Sequence, residues 1–138
     1  MKPKIYYDLT RFRLKESRSV LNMIEKVIRK ENKIPGDLNF IITVDETIRE
    51  INKEFLGHDY YTDVIAFDES EGNKVNGEIY ISIDTVKRNA VVYKVNLREE
   101  LIRVMIHGTL HLCGYDDKTE VERDIMISKG ENWIVKLK

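Results

Sequence analysis

The chain has 138 residues, a mass of 16.3 kDa, 42% hydrophobic and 34% charged residues, with seven Gly and two Pro. That is the length of one domain, 1–138, and the composition excludes disorder, collagen and low-complexity sequence. With 23 basic and 24 acidic side chains the net charge is −1, which excludes a wholesale basic nucleic-acid coat but not a local basic patch.

In chain order, KIYYDL (4–9) has the look of a short strand. Val20, Leu21, Ile24, Val27 and Ile28 recur at helical spacing across 19–32, and Pro35-Gly36 reads as the breaker that ends the run. Leu38, Phe40, Ile42 and Val44 then alternate as in a strand, and Asp45 is placed to cap a helix through Ile48, Ile51 and Phe55 that stops near Gly57. TDVIAFD (62–68) and GEIYISID (77–84) are rich in β-formers and read as a hairpin or as near neighbours in one sheet. Asp84 is placed to cap a helix through Val86, Ala90 and Tyr93. Asn96 with Glu99 opens a helix to Cys113, and Thr119 with Glu122 forms a capping box for a last helix carrying Val121, Ile125 and Trp133. About four strands and five helices in mixed order predict an α+β domain, a small mixed sheet packed with helices.

The chemistry concentrates in H-G-T-L-H-L-C-G-Y-D-D. His107 and His111 stand one helical turn apart on one face, and Gly114 is the natural stop where the chain can reverse. A three-residue return reaches at most roughly 10 Å, enough to bring Asp117 beside both imidazoles. The spacing is that of the zincin metal helix, with Asp as third ligand. Two neutral imidazoles and a carboxylate predict one divalent metal ion per chain, zinc by preference, with a place left for water and no organic cofactor. Such an ion lowers the pKa of its water to about 7. An i, i+4 histidine pair alone is more often surface decoration; the glycine and the carboxylate carry the inference. Zincin peptidases use a Glu directly after the first His as base, and Gly108 stands there instead, so peptidase chemistry is disfavoured.

These residues resemble the YbeY family of metal-dependent endoribonucleases, whose motif H-G-x-L-H-L-x-G-Y-D-H is matched at every fixed position except the last, Asp117. TDVIAF (62–67) and GEIYIS (77–82) are similar to two further family strands, and Glu100-Leu101 to a family Glu-Leu step, so roughly 45–135 is covered. The resemblance implies a single-strand-preferring endoribonuclease of the cytoplasm. It would act in ribosome biogenesis and ribosomal RNA maturation, at the 3′ end of the 16S species, with that RNA and the small ribosomal subunit as partners. His107, His111 and Asp117 would be both metal ligands and the catalytic set, through a metal-bound water that attacks the phosphodiester. The rivals are a non-catalytic ribosome- or RNA-binding factor with a structural metal, and a zincin-like peptidase. A non-haem iron oxygenase is a weaker rival, because two His and a carboxylate also bind Fe(II). No membrane partner is expected: MKPKIYYDL lacks the apolar core of a leader, and no run approaches the roughly 18 residues needed to span a bilayer. The single Cys113 excludes a disulfide framework, suits a reducing compartment and reads as core packing.

Two departures stand out. Asp117 in place of His adds a negative charge to the ligand set, and Leu56 falls where the family carries an arginine suited to a phosphodiester transition state. Arg49, earlier on the same helix, and Arg103, near the metal helix, are the candidate replacements. Glu100, seven residues before His107, either orients a ligand or water or sits on a solvated face. Asp63 reads as a loop-positioning or cleft residue, Asp116 as a possible base, and His58 as a loop histidine within reach of substrate. The basic stretch Arg11 to Arg18, with Lys26, Arg29, Lys30 and Lys33, is either a phosphate-tracking surface or an ordinary solvated face.

Overall fold

The computed structural model describes residues 2–57 and 62–137. Its elements run β1 (Lys4–Tyr7), α1 (Ser17–Lys30), β2 (Ile34–Thr43), α2 (Asp45–Leu56), β3 (Val64–Asp68), β4 (Lys74–Ser82), α3 (Ile83–Tyr93), α4 (Leu97–Leu112) and α5 (Glu120–Leu137). The sheet order is β1-β2-β4-β3, with β1, β2 and β4 parallel and β3 antiparallel to β4. This is the expected α+β architecture, and the hairpin of β3 with β4 is the pairing read from the sequence. No helix among the described residues is long and apolar enough to cross a membrane.

Period-two alternation sets the core. Phe40 pairs with Ile79 and Ile42 with Ile81, and with Leu38 these side chains form a sheet face with no solvent exposure. Onto that face pack α1, through Val20, Ile24, Val27 and Ile28, and α4, through Leu101, Met105, Ile106 and Leu110. Fully burying each such side chain contributes about 1.5–3 kcal/mol, so this layer dominates the stability. Cys113 belongs to the same core, and burial pushes its thiol up to about 11.

Four local expectations are corrected. Pro35-Gly36 does not break the chain but lies within β2, at a register shift between Pro35 and Leu38. The stop of α1 is Glu31-Asn32, with Asn32 in the left-handed region. β1 reaches only Asn39 to Ile42, so Pro35 has β4 alone as strand partner, where a missing N–H is tolerated. Asp45 and Asp84 do not cap their own helices. Asp45 is the first residue of α2 and its carboxylate accepts from Ser82 Oγ, Thr85 Oγ1 and Arg88 Nη2, whereas Asp84 accepts from the Asp45 backbone N–H and Ser82 caps α3. Each helix start is thus held by a carboxylate from the other. Ile83 belongs to α3 rather than to the strand. Val121 and Ile125 on α5 are exposed, and the helix instead buries Met126, Gly130 and Ile134. The glycine in that stripe carries no hydrophobic signal, which hides the face from a sequence reading.

Asn96 caps α4 by accepting from the Glu99 N–H at 2.8 Å, and Thr119 with Glu122 forms both bonds of the capping box.

Candidate metal centre and the adjoining cleft

The last turns of α4 carry His107 and His111, whose ring centroids are 5.0 Å apart. Cys113 closes the helix, and Gly114 adopts φ 107°, a conformation that favours glycine and turns the chain back. The Tyr115 N–H donates to the Leu110 carbonyl, and Asp117 arrives beside the two rings. Its Oδ2 lies 3.6 Å from His107 Nε2 and 3.4 Å from His111 Nε2. The three ligand atoms fall within 4.8 Å of one another, as the spacing predicts.

The donor set fits a divalent ion. Tetrahedral bonds of about 2.0–2.1 Å put neighbouring ligand atoms roughly 3.4 Å apart, close to the separations found here. His111 Nδ1 is 3.1 Å from the Tyr115 carbonyl oxygen. A carbonyl only accepts, so Nδ1 carries the proton and Nε2 is left with its lone pair toward Asp117. Burial holds His107 below the usual imidazole range, His111 pushes the same way and Asp117 opposes, so the ring is favoured in its neutral, ligating form. Asp117 is tied from behind, where Arg123 donates to its carbonyl and its own N–H donates to Asp116 Oδ1.

Two cavities meet at this point. One of about 350 Å³ lies against His107, His111 and Asp117, with Thr62, Asp63 and Asp68 opposite. The other, about 530 Å³, shares Asp63, Val64 and His107 and extends past Glu100, Arg103 and Glu131 toward Tyr93. Asp63 therefore lines both, the cleft alternative of its sequence reading.

Glu100 is 3% exposed, so the solvated-face reading is overturned. Burial raises its carboxyl pKa while Arg103 opposes the rise. Arg103 donates to Glu131 through Nε and Nη2, to Glu100 through Nη1 and to Glu99 through Nη2. The guanidinium is clamped by three carboxylates, and those bonds, led by Glu131, keep it firmly protonated. It is a structural cation rather than a spare phosphate ligand. Glu131 and Glu99 complete a cluster that no sequence spacing signals, since Glu131 comes from α5.

Arg49 is exposed on α2 and lines neither cavity, and Leu56 is 47% exposed at the end of that helix. Asp116 faces Lys118 at 3.7 Å and also lies outside both cavities. His58 is outside the described residues. In the basic stretch, Arg13 is held over the Tyr7 ring at 4.6 Å and donates to Thr10 and Phe12 carbonyls, while Arg98 donates to the Lys15 carbonyl. Arg11, Lys15, Arg18, Lys26, Arg29 and Lys30 remain exposed.

Residues 7–138 match the family model described as Endoribonuclease YbeY. A protein of that name from Flavobacterium psychrophilum is 48% identical over 120 residues, 87% of this chain and 86% of the relative. One from Christiangramia forsetii is 46% identical over 94% of this chain and 90% of its own length. The solution structure of a Thermotoga maritima protein superposes with a TM-score of 0.66 at 31% identity, covering 96% of this chain and 86% of that one. Sequence, fold and the three-ligand turn agree: the chain belongs to the YbeY endoribonuclease family.

Proposed function

We propose that this chain, as one domain over 1–138, is a hydrolytic endoribonuclease of ribosomal RNA maturation that prefers single-stranded substrate. It would act in the cytoplasm on the small-subunit RNA, with the small ribosomal subunit as partner. His107, His111 and Asp117 hold one divalent ion, zinc by preference. The observation that carries this reading is the convergence of the three ligand atoms at the mouth of a cleft, with His111 fixed in the ligating tautomer.

An ion held by His107, His111 and Asp117 would supply Lewis acidity, toward a phosphate oxygen and toward water. The chain's own residues do the rest. Asp117 brings a negative charge that offsets part of the dication, the Tyr115 carbonyl holds the His111 ring, and Asp63 and Thr62 form the opposite wall against which a strand is placed. The peptidase alternative lacks its base. A side chain at Gly108 would point at Ile79 in the sheet, not into the cleft.

The test is cleavage of end-labelled single-stranded and structured RNA by zinc-loaded protein and by His107→Ala, with metal analysis of both. Cleavage lost in the variant, with products free of 2′,3′-cyclic phosphate, supports hydrolysis by water. Cyclic ends would assign the attack to the ribose 2′-hydroxyl. Tight RNA binding with no cleavage by the loaded wild type would hand the case to the non-catalytic factor.

A further inference from the structure

The 530 Å³ cavity is not needed to hold the ion, and its chemistry differs from that of a phosphate site. Ligand pockets typically enclose about 300–1,000 Å³, so it has the room for a planar base. Its walls are apolar, with Val104 and Met126 buried and Tyr93 standing 60% exposed at the mouth. Its floor is acidic. Glu100 Oε1 accepts from Arg103, and Oε2 has no partner among the described residues, yet no polar side-chain atom among them is sealed without one. That oxygen therefore opens on the cavity. Glu131 and Asp63 add further acceptors, and Arg103, the one cation among the described lining residues, is held by carboxylates. A phosphate would meet repulsion here, whereas N–H donors would meet acceptors already in place.

Resting on the endoribonuclease reading, we propose that this cavity is a nucleobase pocket that admits a base with an exocyclic amino group beside the scissile phosphate and disfavours uracil. The two cavities share His107, Asp63 and Val64, so a nucleotide whose phosphate lies at the metal centre has its base within reach of Glu100. Carboxylates accept from base amino groups, and splayed bases stack on aromatic rings such as Tyr93. Uracil offers those carboxylates a single N3–H flanked by two carbonyl oxygens that they repel, whereas a base amino group presents N–H donors without a carbonyl at that position.

Cytidine and uridine test this, because they differ only on the Watson–Crick edge, an N4 amino group and an N3 lone pair against an O4 carbonyl and an N3–H, and neither carries a phosphate. Both are titrated into zinc-loaded protein and followed by amide NMR. Cytidine should shift amides of 100–107 and 126–131 and bind at least about fivefold tighter than uridine. Glu100→Gln, whose carboxamide donates to a carbonyl, should abolish or reverse the preference. Glu131→Gln, at a half-exposed side chain, serves as the second variant if the buried substitution impairs folding, and should shrink the preference. Equal binding of the two nucleosides, shifts confined elsewhere, or a preference retained in both variants would overturn the proposal. RNA cleavage without any cytidine preference sinks the pocket and spares the nuclease reading. Cytidine preference without cleavage does the reverse.

Discussion

Gly108 ties the metal helix to the sheet, and replacing it measures that contact. A Cβ built there would lie 2.9 Å from Ile79 Cγ2 and 3.1 Å from Ile79 Cδ1. Ile79 is fully buried in the central strand β4, so it has no solvent to turn into. Overpacking of this kind costs about 1–3 kcal/mol. Against it stands the helix preference of Ala over Gly, about 1 kcal/mol. Gly108→Ala should therefore lose about 1 kcal/mol net, read as a lower urea midpoint at unchanged slope and a melting temperature lower by roughly 3–5 °C. Ile79→Ala alone should cost about 2–5 kcal/mol. In the Gly108→Ala background it should cost at least about 1 kcal/mol less, because the new methyl group enters the vacated space. Metal stoichiometry should survive, since His107, His111 and Asp117 all ride on α4 and its trailing turn and shift together. RNA cleavage should fall, because Asp63 stays behind, just ahead of β3. A Gly108→Ala protein as stable as wild type, or additivity in the double variant, would refute the close approach.

Other substitutions probe the remaining supports. His111→Ala should abolish stoichiometric metal binding, whereas Asp117→His should preserve or tighten it, both read by metal analysis after dialysis. Asp45→Asn should cost about 1–2 kcal/mol at neutral pH. Although burial would raise the Asp45 carboxyl, bonds from Ser82, Thr85 and Arg88 hold it below its usual value. Its contribution is thus present above about pH 4 and lost as pH falls through the depressed value, so the gap in urea melts should close in acid. Arg103→Met leaves Glu99, Glu100 and Glu131 together without their cation. The expected loss is about 2–3 kcal/mol, discounted for the partial exposure of Arg103 and Glu131. The Glu100 carboxyl is already raised by burial, and its ionised form opposes folding at higher pH. The deficit should therefore shrink as pH falls and the carboxyls protonate; a deficit independent of pH would show that packing, not charge, is what Arg103 supplies.

The parts legible in the sequence are those whose cause is local. His107, His111, Gly114 and Asp117 lie within one helix end and its turn, so spacing alone brings them together. The Asn96 cap, the Thr119-Glu122 box and the alternation of Leu38, Phe40 and Ile42 are decided by near neighbours in the same way. What escaped is non-local. Nothing near Asp45 or Asp84 announces that each serves the other's helix, because their meeting depends on β2 and β4 lying side by side. Nothing near Arg103 announces Glu131, which reaches it only once α5 packs Met126, Gly130 and Ile134 inward.

That non-local assembly also decides the electrostatics on which the proposed activity rests. The cleft holds Asp63, Glu100, Glu131 and Asp117, and Arg103, the one Lys or Arg among its described lining residues, is committed to carboxylates. Leu56, at the position where the resemblance implied an arginine, supplies no charge. In such a cleft an RNA phosphate is repelled until a dication sits against Asp117, and a unit attraction at 4 Å is worth roughly 4 kcal/mol in a partly screened site. On the proposed reading substrate capture and chemistry would be coupled to the same ion, and the exposed cations of α1, Lys26, Arg29 and Lys30, would be left with the sequence-independent part of binding, the part that salt weakens.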